Sequence, residues 1–250
     1  MSGYKAFAYV YDRLTQNVNY KERADYICSL LAGCGIKAGI LLDLACGTGS
    51  MAELFAARGY DVIGVDISEE MLAQAQQKKY EKGLDILYLR QDMRSLDLFG
   101  SIKCAVCSLD SINHLASAKD VGRAFYSVGF FMEKNGILIF DVNTAYKHKN
   151  ILADNTFIYD MDDVYCVWQN RLDNADGHVD IHLDVFEADG ELYARFDEDI
   201  TEYCYDDETL TALLQQSNFE VLARYGELTT DAPQADEQRV YYVCRKLKDQ

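Results

Sequence analysis

The chain has 250 residues, 49% of them hydrophobic and 26% charged, with a formal net charge of −17. That length carries one α/β core with an insertion, and a second independent core is not expected. The acidic balance excludes a large nucleic-acid footprint, because neutralising phosphates needs a basic surface, and no run approaches the roughly eighteen apolar residues of a membrane helix.

In chain order, residues 4 to 31 read as one or two amphipathic helices. Phe7, Ala8, Tyr11 and Leu14 stand at helical spacing, then Ala24, Ile27, Cys28 and Leu31, with a break from Asn17 to Tyr20. They form either a layer on the sheet or a partial cover over a ligand, since Tyr11, Asp12 and Tyr20 offer aromatic and hydrogen-bonding faces. Such aromatic faces attract a cation by roughly 0.5–2 kcal/mol.

Leu41–Leu44 is an apolar run holding Asp43, and Ala45, Cys46, Gly47, Thr48, Gly49 and Ser50 follow it. This is a strand, a tight loop and a helix start. Gly47 and Gly49 lack a Cβ, so the backbone can take φ > 0 and lie against a ligand, with free N–H groups pointing into the same space. With Ala52 the loop also matches G-x-G-x-x-A, which a dinucleotide turn permits. Asp43 separates the readings: it repels a pyrophosphate by roughly 1 kcal/mol or more and attracts a cationic ligand.

Met51 to Arg58 is a short helix stopped by Gly59. Val62–Asp66 is a second buried strand, closed by an acid seventeen residues after Gly49, where such folds place the carboxylate that accepts both ribose hydroxyls. Ser68 caps the next helix, with Met71, Leu72 and Ala75 on its apolar face. Leu84 to Leu89 is a third strand running into Gln91, Asp92, Met93 and Arg94. Ile102 to Leu109 is a fourth, and Cys104 and Cys107 on it point to opposite faces, so their spacing does not make a metal or redox pair. Ser108, Asp110, Asn113 and His114 follow, beyond the carboxyl end where open α/β sheets hold ligands. They supply an acid, a neutral hydrogen-bonding amide and a base.

Val121 to Met132 reads as a helix and Gly136–Asp141 as a fifth strand closed by another acid. From Phe157 to Tyr205 the period changes to two: His178, Asp180, His182 and Asp184 alternate with Val179, Ile181, Leu183 and Val185. That is an antiparallel block with one wet face, and polar-out alternation accounts for the histidines and acids without a metal. Asp189–Gly190 makes its hairpin turn. Asp206, Asp207 and Glu208 open a helix to Gln216, and strands Phe219–Tyr225 and Arg239–Lys246 close the chain.

The 8 cysteines mostly sit in apolar runs and read as reduced core residues. No basic-then-apolar signal pattern opens the chain, and a cytoplasmic location is the expectation. The single proline, Pro233, excludes the Asn/Asp-Pro-Pro-aromatic loop of base amino methylases and the Pro-Cys nucleophile of cytosine-C5 methylases.

The run from Asp43 to Gly49 with Asp66 beyond it resembles the class I S-adenosylmethionine-dependent methyltransferases. Tyr11-Asp12, Tyr20 and Ser111-Ile112-Asn113-His114-Leu115 resemble, more narrowly, the bacterial small-molecule enzymes that N,N-dimethylate nucleotide-linked aminosugars. The resemblance implies a doubly wound, mostly parallel seven-stranded Rossmann-like α/β sheet, a single domain over residues 1–250. A helical cover over 1–35 and an antiparallel insertion over about 155–205 belong to it. The implied cofactor is S-adenosylmethionine, leaving as S-adenosylhomocysteine. Its implied contacts are Tyr11, Tyr20, Asp43, Ala45, Cys46, Gly47, Gly49, Asp66, Ile67, Met71, Gln91, Asp92, Met93 and Ser108. His114, Asp110 and Tyr11 are the implied catalytic residues, Asn113 and His114 the substrate contacts, with no metal. The partners expected are a small-molecule acceptor, no nucleic acid, no membrane, and a homodimer is left open. The rival readings are an aminopropyltransferase using the decarboxylated cofactor and a non-catalytic protein that senses S-adenosylmethionine.

Overall fold

The computed structural model describes residues 3–248. The chain runs α1 (Gly3–Leu14), α2 (Tyr20–Gly33), β1 (Gly39–Leu44), α3 (Ser50–Ala56), β2 (Tyr60–Asp66), α4 (Glu69–Lys82), β3 (Ile86–Arg90) and β4 (Ile102–Cys107). A 3₁₀ turn, Ser111–His114, leads to α5 (Ala118–Phe131), β5 (Met132–Asn143) and α6 (Ala145–Lys147), which passes into a π turn at His148–Leu152. Then come β6 (Thr156–Asp160), β7 (Val164–Leu172), β8 (Val179–Asp189), β9 (Leu192–Glu202), α7 (Asp207–Gln216), β10 (Phe219–Tyr225) and β11 (Arg239–Lys246).

Seven strands form one sheet in the order β10-β11-β5-β4-β1-β2-β3, parallel except where β11 pairs antiparallel with β5 and β10. The chain winds outward from β1 through β2 to β3, then returns to lay β4 on the other side of β1. The carboxyl ends of β1 and β4 therefore flank the point where strand order reverses, the place such sheets leave a crevice for a ligand. Helices cover both faces, which explains why the parallel strands are apolar throughout. Leu41 packs with α2 and α3 residues such as Ile27 and Phe55, while Leu42 and Leu44 pack with α5 and α7 residues such as Phe125 and Leu214. Cys104 and Cys107 likewise fall into these two opposite cores, as reduced thiols.

Local chemistry sets the helix ends. Ser68 accepts from the N–H of Met71, Glu69 and Glu70 occupy the first turn of α4, Lys79 and Lys82 its last, and Gly83 closes it at φ 62°. Asp206 caps α7 through the N–H of Thr209. β5 is longer than its apolar run suggests, because it starts at Met132 across an irregular register with β4 and an Asn135 at φ 64°.

β6 to β9 form a separate antiparallel sheet. Val179, Ile181, Leu183 and Val185 are 0–3% exposed and face α1, where Phe7 and Val10 complete a third apolar cluster. His182 and Asp184 on the outer face pair across the strands with Asp199 and Arg195. The two N-terminal helices thus have different jobs: α2 packs on the main sheet, whereas α1 bridges the two sheets.

Candidate active site

The loop after β1 turns left-handed at three positions, Ala45 (φ 57°), Gly47 (φ 53°) and Gly49 (φ 79°). The glycines serve different ends. A Cβ on Gly49 would run into the Tyr88 hydroxyl and lie 3.1 Å from the Ala75 Cβ, so this glycine is needed for packing of the loop against β3 and α4. A Cβ on Gly47 would meet nothing within 4 Å, which leaves that side of the backbone open for a ligand. The N–H groups of the two glycines are not free: Gly47 donates to Asp66 at 2.8 Å and Gly49 to the Cys46 carbonyl at 2.9 Å. Cys46 anchors the loop by donating its N–H to Val65 at 2.9 Å.

Two acids frame that opening. Asp43 is 1% exposed, and its Oδ2 has no hydrogen-bond partner among the described residues. Burial, and secondly the charge of Asp66, push its carboxyl up to about 8 against one backbone hydrogen bond from Ala52. Asp66 is fixed differently, by the N–H of Gly47 on Oδ2 and that of Ser68 on Oδ1, both at 2.8 Å. Burial raises its pKa and these bonds oppose the rise. The Ile67 N–H also bonds this carboxylate, and a carboxylate has about four lone-pair positions, so Asp66 keeps acceptor capacity for a further donor.

α1 closes over this end of the loop. Asp12 accepts from Thr48 Oγ1 at 2.5 Å, from Ser50 Oγ at 3.3 Å and from Lys78 Nζ at 2.7 Å. Next to it Tyr11 is pushed up by burial and by Tyr20, Asp110, Asp12 and Asp66, so its phenol stays protonated and offers a ring face and a donor. Tyr20 donates to Thr15 Oγ1 at 3.0 Å.

The other residues expected to contact the cofactor are spread more widely. Ile67 stands 60% exposed just after Asp66. Met71 leans on the α1 cluster and Met93 on the core beneath β1 and β4. Gln91 closes its own loop, its amide bonded both ways to the Asp97 backbone at 2.8 Å, so the structure does not free that side chain for a cofactor. Asp92 is held bidentate by Arg94 at 2.6 to 3.0 Å, and this pair draws its pKa down.

At the end of β4, Ser108 is 7% exposed and its carbonyl accepts from Ser111. Leu109 and Asp110 are both left-handed, at φ 59° and 53°. A non-glycine pair in that region needs external support. Asp141, at the end of β5, gives it by accepting both their N–H groups at 2.9 and 3.0 Å. Arg239 then bonds Asp141 and Asp110, the latter at 2.6 Å. Burial would raise Asp110, but Arg239, Lys147 and His114 outweigh it and hold the carboxyl down at about 2. His114 is 42% exposed, its Nε2 4.0 Å from Asp110 Oδ2.

Asn113 corrects the expectation of a substrate contact. It is fully buried, donating to the carbonyls of Tyr203 and Asn143 at 2.8 and 3.3 Å and accepting from the Asn143 N–H at 2.9 Å. Its amide ties the 3₁₀ turn to β5 and to the end of β9, and none of it is left for a ligand.

Between α1, this turn and the antiparallel sheet lies a cavity of about 300 Å³. Tyr11, Asp110 and His114 line it, as expected of site residues. Arg239, Lys147 and Glu202 also line it, with Trp168 and Tyr159 on the wall. These were missed because their partners are distant in sequence, although Asp141 repeats the strand-closing acid of Asp43 and Asp66. Lys147 donates to Asn143 Oδ1 at 2.9 Å and is drawn down by burial and by Arg239.

A switch-point crevice with an open glycine turn and two acids defines a site for a cationic adenosine derivative. Residues 41–136 match the family described as "Methyltransferase domain". The chain is 34% identical over 246 residues, 98% of each chain, to YqeM of Bacillus subtilis (strain 168), a protein whose name assigns a methyltransferase class without a substrate. It superposes with a TM-score of 0.89 on the crystal structure of an S-adenosylmethionine-dependent methyltransferase from Clostridium acetobutylicum ATCC 824, at 30% identity, covering 98% of this chain and 99% of that one. A dTDP-3-amino-3,4,6-trideoxy-α-D-glucopyranose N,N-dimethyltransferase of Streptomyces venezuelae is 30% identical over 132 residues, 52% of this chain and 54% of its own. The chain belongs to the class I S-adenosylmethionine-dependent methyltransferases. Within that class it is a full-length relative of YqeM and of the Clostridium enzyme. Its cofactor is S-adenosylmethionine, and the unpartnered Asp43 oxygen and open Gly47 face fit that ligand.

Proposed function

We propose that this enzyme methylates a nitrogen or oxygen of a small molecule held in the cavity between α1, the 3₁₀ turn and the antiparallel sheet. The observation that carries the reading is the cavity itself: about 300 Å³, bordered by Leu109, Asp110 and His114 at the carboxyl end of β4, with apolar and aromatic walls and a few polar groups at one end. When bound, S-adenosylmethionine supplies an activated methyl group on a sulfonium. The chain's part is to hold the acceptor in line with it, which is worth roughly 7–11 kcal/mol in comparable reactions, and to exclude water with α1.

Asp66 would take the ribose hydroxyls and Asp43 the positive end of the cofactor. His114, at the wet rim of the cavity, would carry the acceptor's proton out to solvent, with Asp110 holding the rim in shape through Arg239. A net charge of −17 favours a small or cationic acceptor over a polyanion. The N,N-dimethyltransferase relative from Streptomyces venezuelae supports nitrogen.

The test is release of adenosylhomocysteine from the purified protein with panels of amines, alcohols and carboxylic acids. Turnover confined to one class is the expected result. Tight cofactor binding with no turnover on any panel would favour the sensing role instead.

A further inference from the structure

His148 lies in the π turn after β5 and is 1% exposed. Its Nδ1 is 3.0 Å from the Gly177 carbonyl oxygen. A carbonyl only accepts, so the proton of a neutral ring sits on Nδ1 and Nε2 is bare. That Nε2 has no hydrogen-bond partner among the described residues. The atom facing it at 3.5 Å is Oε2 of Glu202, itself 4% exposed and already accepting from Asn143 Nδ2 at 2.7 Å.

Two acceptors therefore face each other across a buried gap. It is roughly 0.5 Å too wide for a formed hydrogen bond, and a bridging water would need about 5.5 Å. Only a proton relieves the contact. Glu202 also lines the acceptor cavity, and one of its oxygens lies within 4.8 Å of a ligand atom of both Asp110 and His114. Arg239 bonds Asp110 and Lys147 stands beside them, so positive charge at this corner is already supplied by the protein.

We propose that Glu202 is a further catalytic residue, the first holder of the acceptor's proton, and that His148 is the positioning residue behind it. This rests on the reading of the cavity as the acceptor site. The acceptor's N–H or O–H bond breaks, its electron pair stays on the nitrogen or oxygen and is free to meet the methyl carbon. The proton moves to Glu202 Oε2, where His148 Nε2 shares it. His114 approaches the same point from the wet side and returns that proton to water after transfer.

The pair can be read without knowing the acceptor. In protein carrying ¹⁵N-histidine with adenosylhomocysteine added, His148 is expected as the Nδ1–H tautomer, and Glu202→Gln should move the Nε2 resonance. An Nε2–H tautomer, or an Nε2 signal indifferent to Glu202→Gln, overturns the pairing. With the acceptor identified by the panels, Glu202→Gln should lower kcat at least a hundredfold with KM within about threefold. Glu202→Asp should recover part of that loss, and His148→Gln should cost about tenfold. A Glu202→Gln enzyme with wild-type kcat overturns the proton role. Failure of every panel would refute the cavity as acceptor site, while the Nε2 signal would still decide whether the pair exists.

Discussion

Asp12 on α1 accepts a 2.5 Å hydrogen bond from Thr48 in the glycine loop, and the same carboxylate binds Lys78 of α4 at 2.7 Å. Helix α1, which lines the cavity proposed for the acceptor, is therefore tied to the glycine loop and to α4. The carboxylate is partly exposed, so its contacts are discounted for solvent. Asp12→Ala is expected to weaken adenosylhomocysteine about fivefold in calorimetry, with only a small change in melting temperature. Unchanged affinity would mean that the tie plays no part in binding.

Asp66 is proposed to accept the ribose hydroxyls of the cofactor. Hydrogen bonds to a charged acceptor contribute on the order of 1.5–3 kcal/mol each. Asp66→Ala should therefore raise the cofactor Kd at least about a hundredfold. Retained micromolar binding would contradict the ribose role.

Asp43 makes stability depend on pH. Its carboxyl is raised from the ordinary 3.8 to about 8 in the folded protein, so the native state binds one more proton than the unfolded chain between those values. Stability contributed by this group is complete below about pH 4, declines as pH rises and is gone above about 8. The ligand-free melting temperature should drop from pH 6 to 9, and Asp43→Asn should flatten that drop. A cationic cofactor prefers the ionised carboxylate, so wild-type affinity should rise over the same window. Identical pH profiles for the two proteins would remove Asp43 from the site's electrostatics.

His114→Ala should lower turnover ten- to a hundredfold and leave cofactor affinity near wild type, because the ring lies at the cavity rim, 42% exposed. Unchanged turnover would retire its proton-carrying role.

Asn113→Ala strands three backbone groups, two on buried Asn143 and one on partly buried Tyr203. A loss of about 2–4 kcal/mol in urea unfolding is expected. A loss under 0.5 kcal/mol would show that water or neighbouring groups replace the amide.

Much of the scaffold could be read along the chain, because burial on both sheet faces imposes continuous apolar runs and caps are local chemistry. Ser68, Asp206 and the alternation from Val179 to Val185 behave as their neighbours dictate. The strand-closing acids Asp43 and Asp66 were legible for the same reason: a charge at the end of a buried run marks a polar site. Gln91, Asp92 and Asn113 looked equally available, yet their side chains are consumed by Asp97, Arg94, Asn143 and Tyr203. Nothing in composition distinguishes a free amide from an occupied one.

The sequence by itself determined the sheet, the cofactor loop and the sign of charge around it, since each depends on residues close in the chain. Only the tertiary structure decided the cavity between α1, the 3₁₀ turn and the antiparallel sheet. Arg239 reaches Asp110 and Asp141 because β11 pairs antiparallel with β5, and Glu202 meets His148 because the antiparallel sheet folds back over the crevice. Those contacts span dozens of residues, and which buried polar groups end up face to face depends on how two sheets pack, which no local pattern encodes.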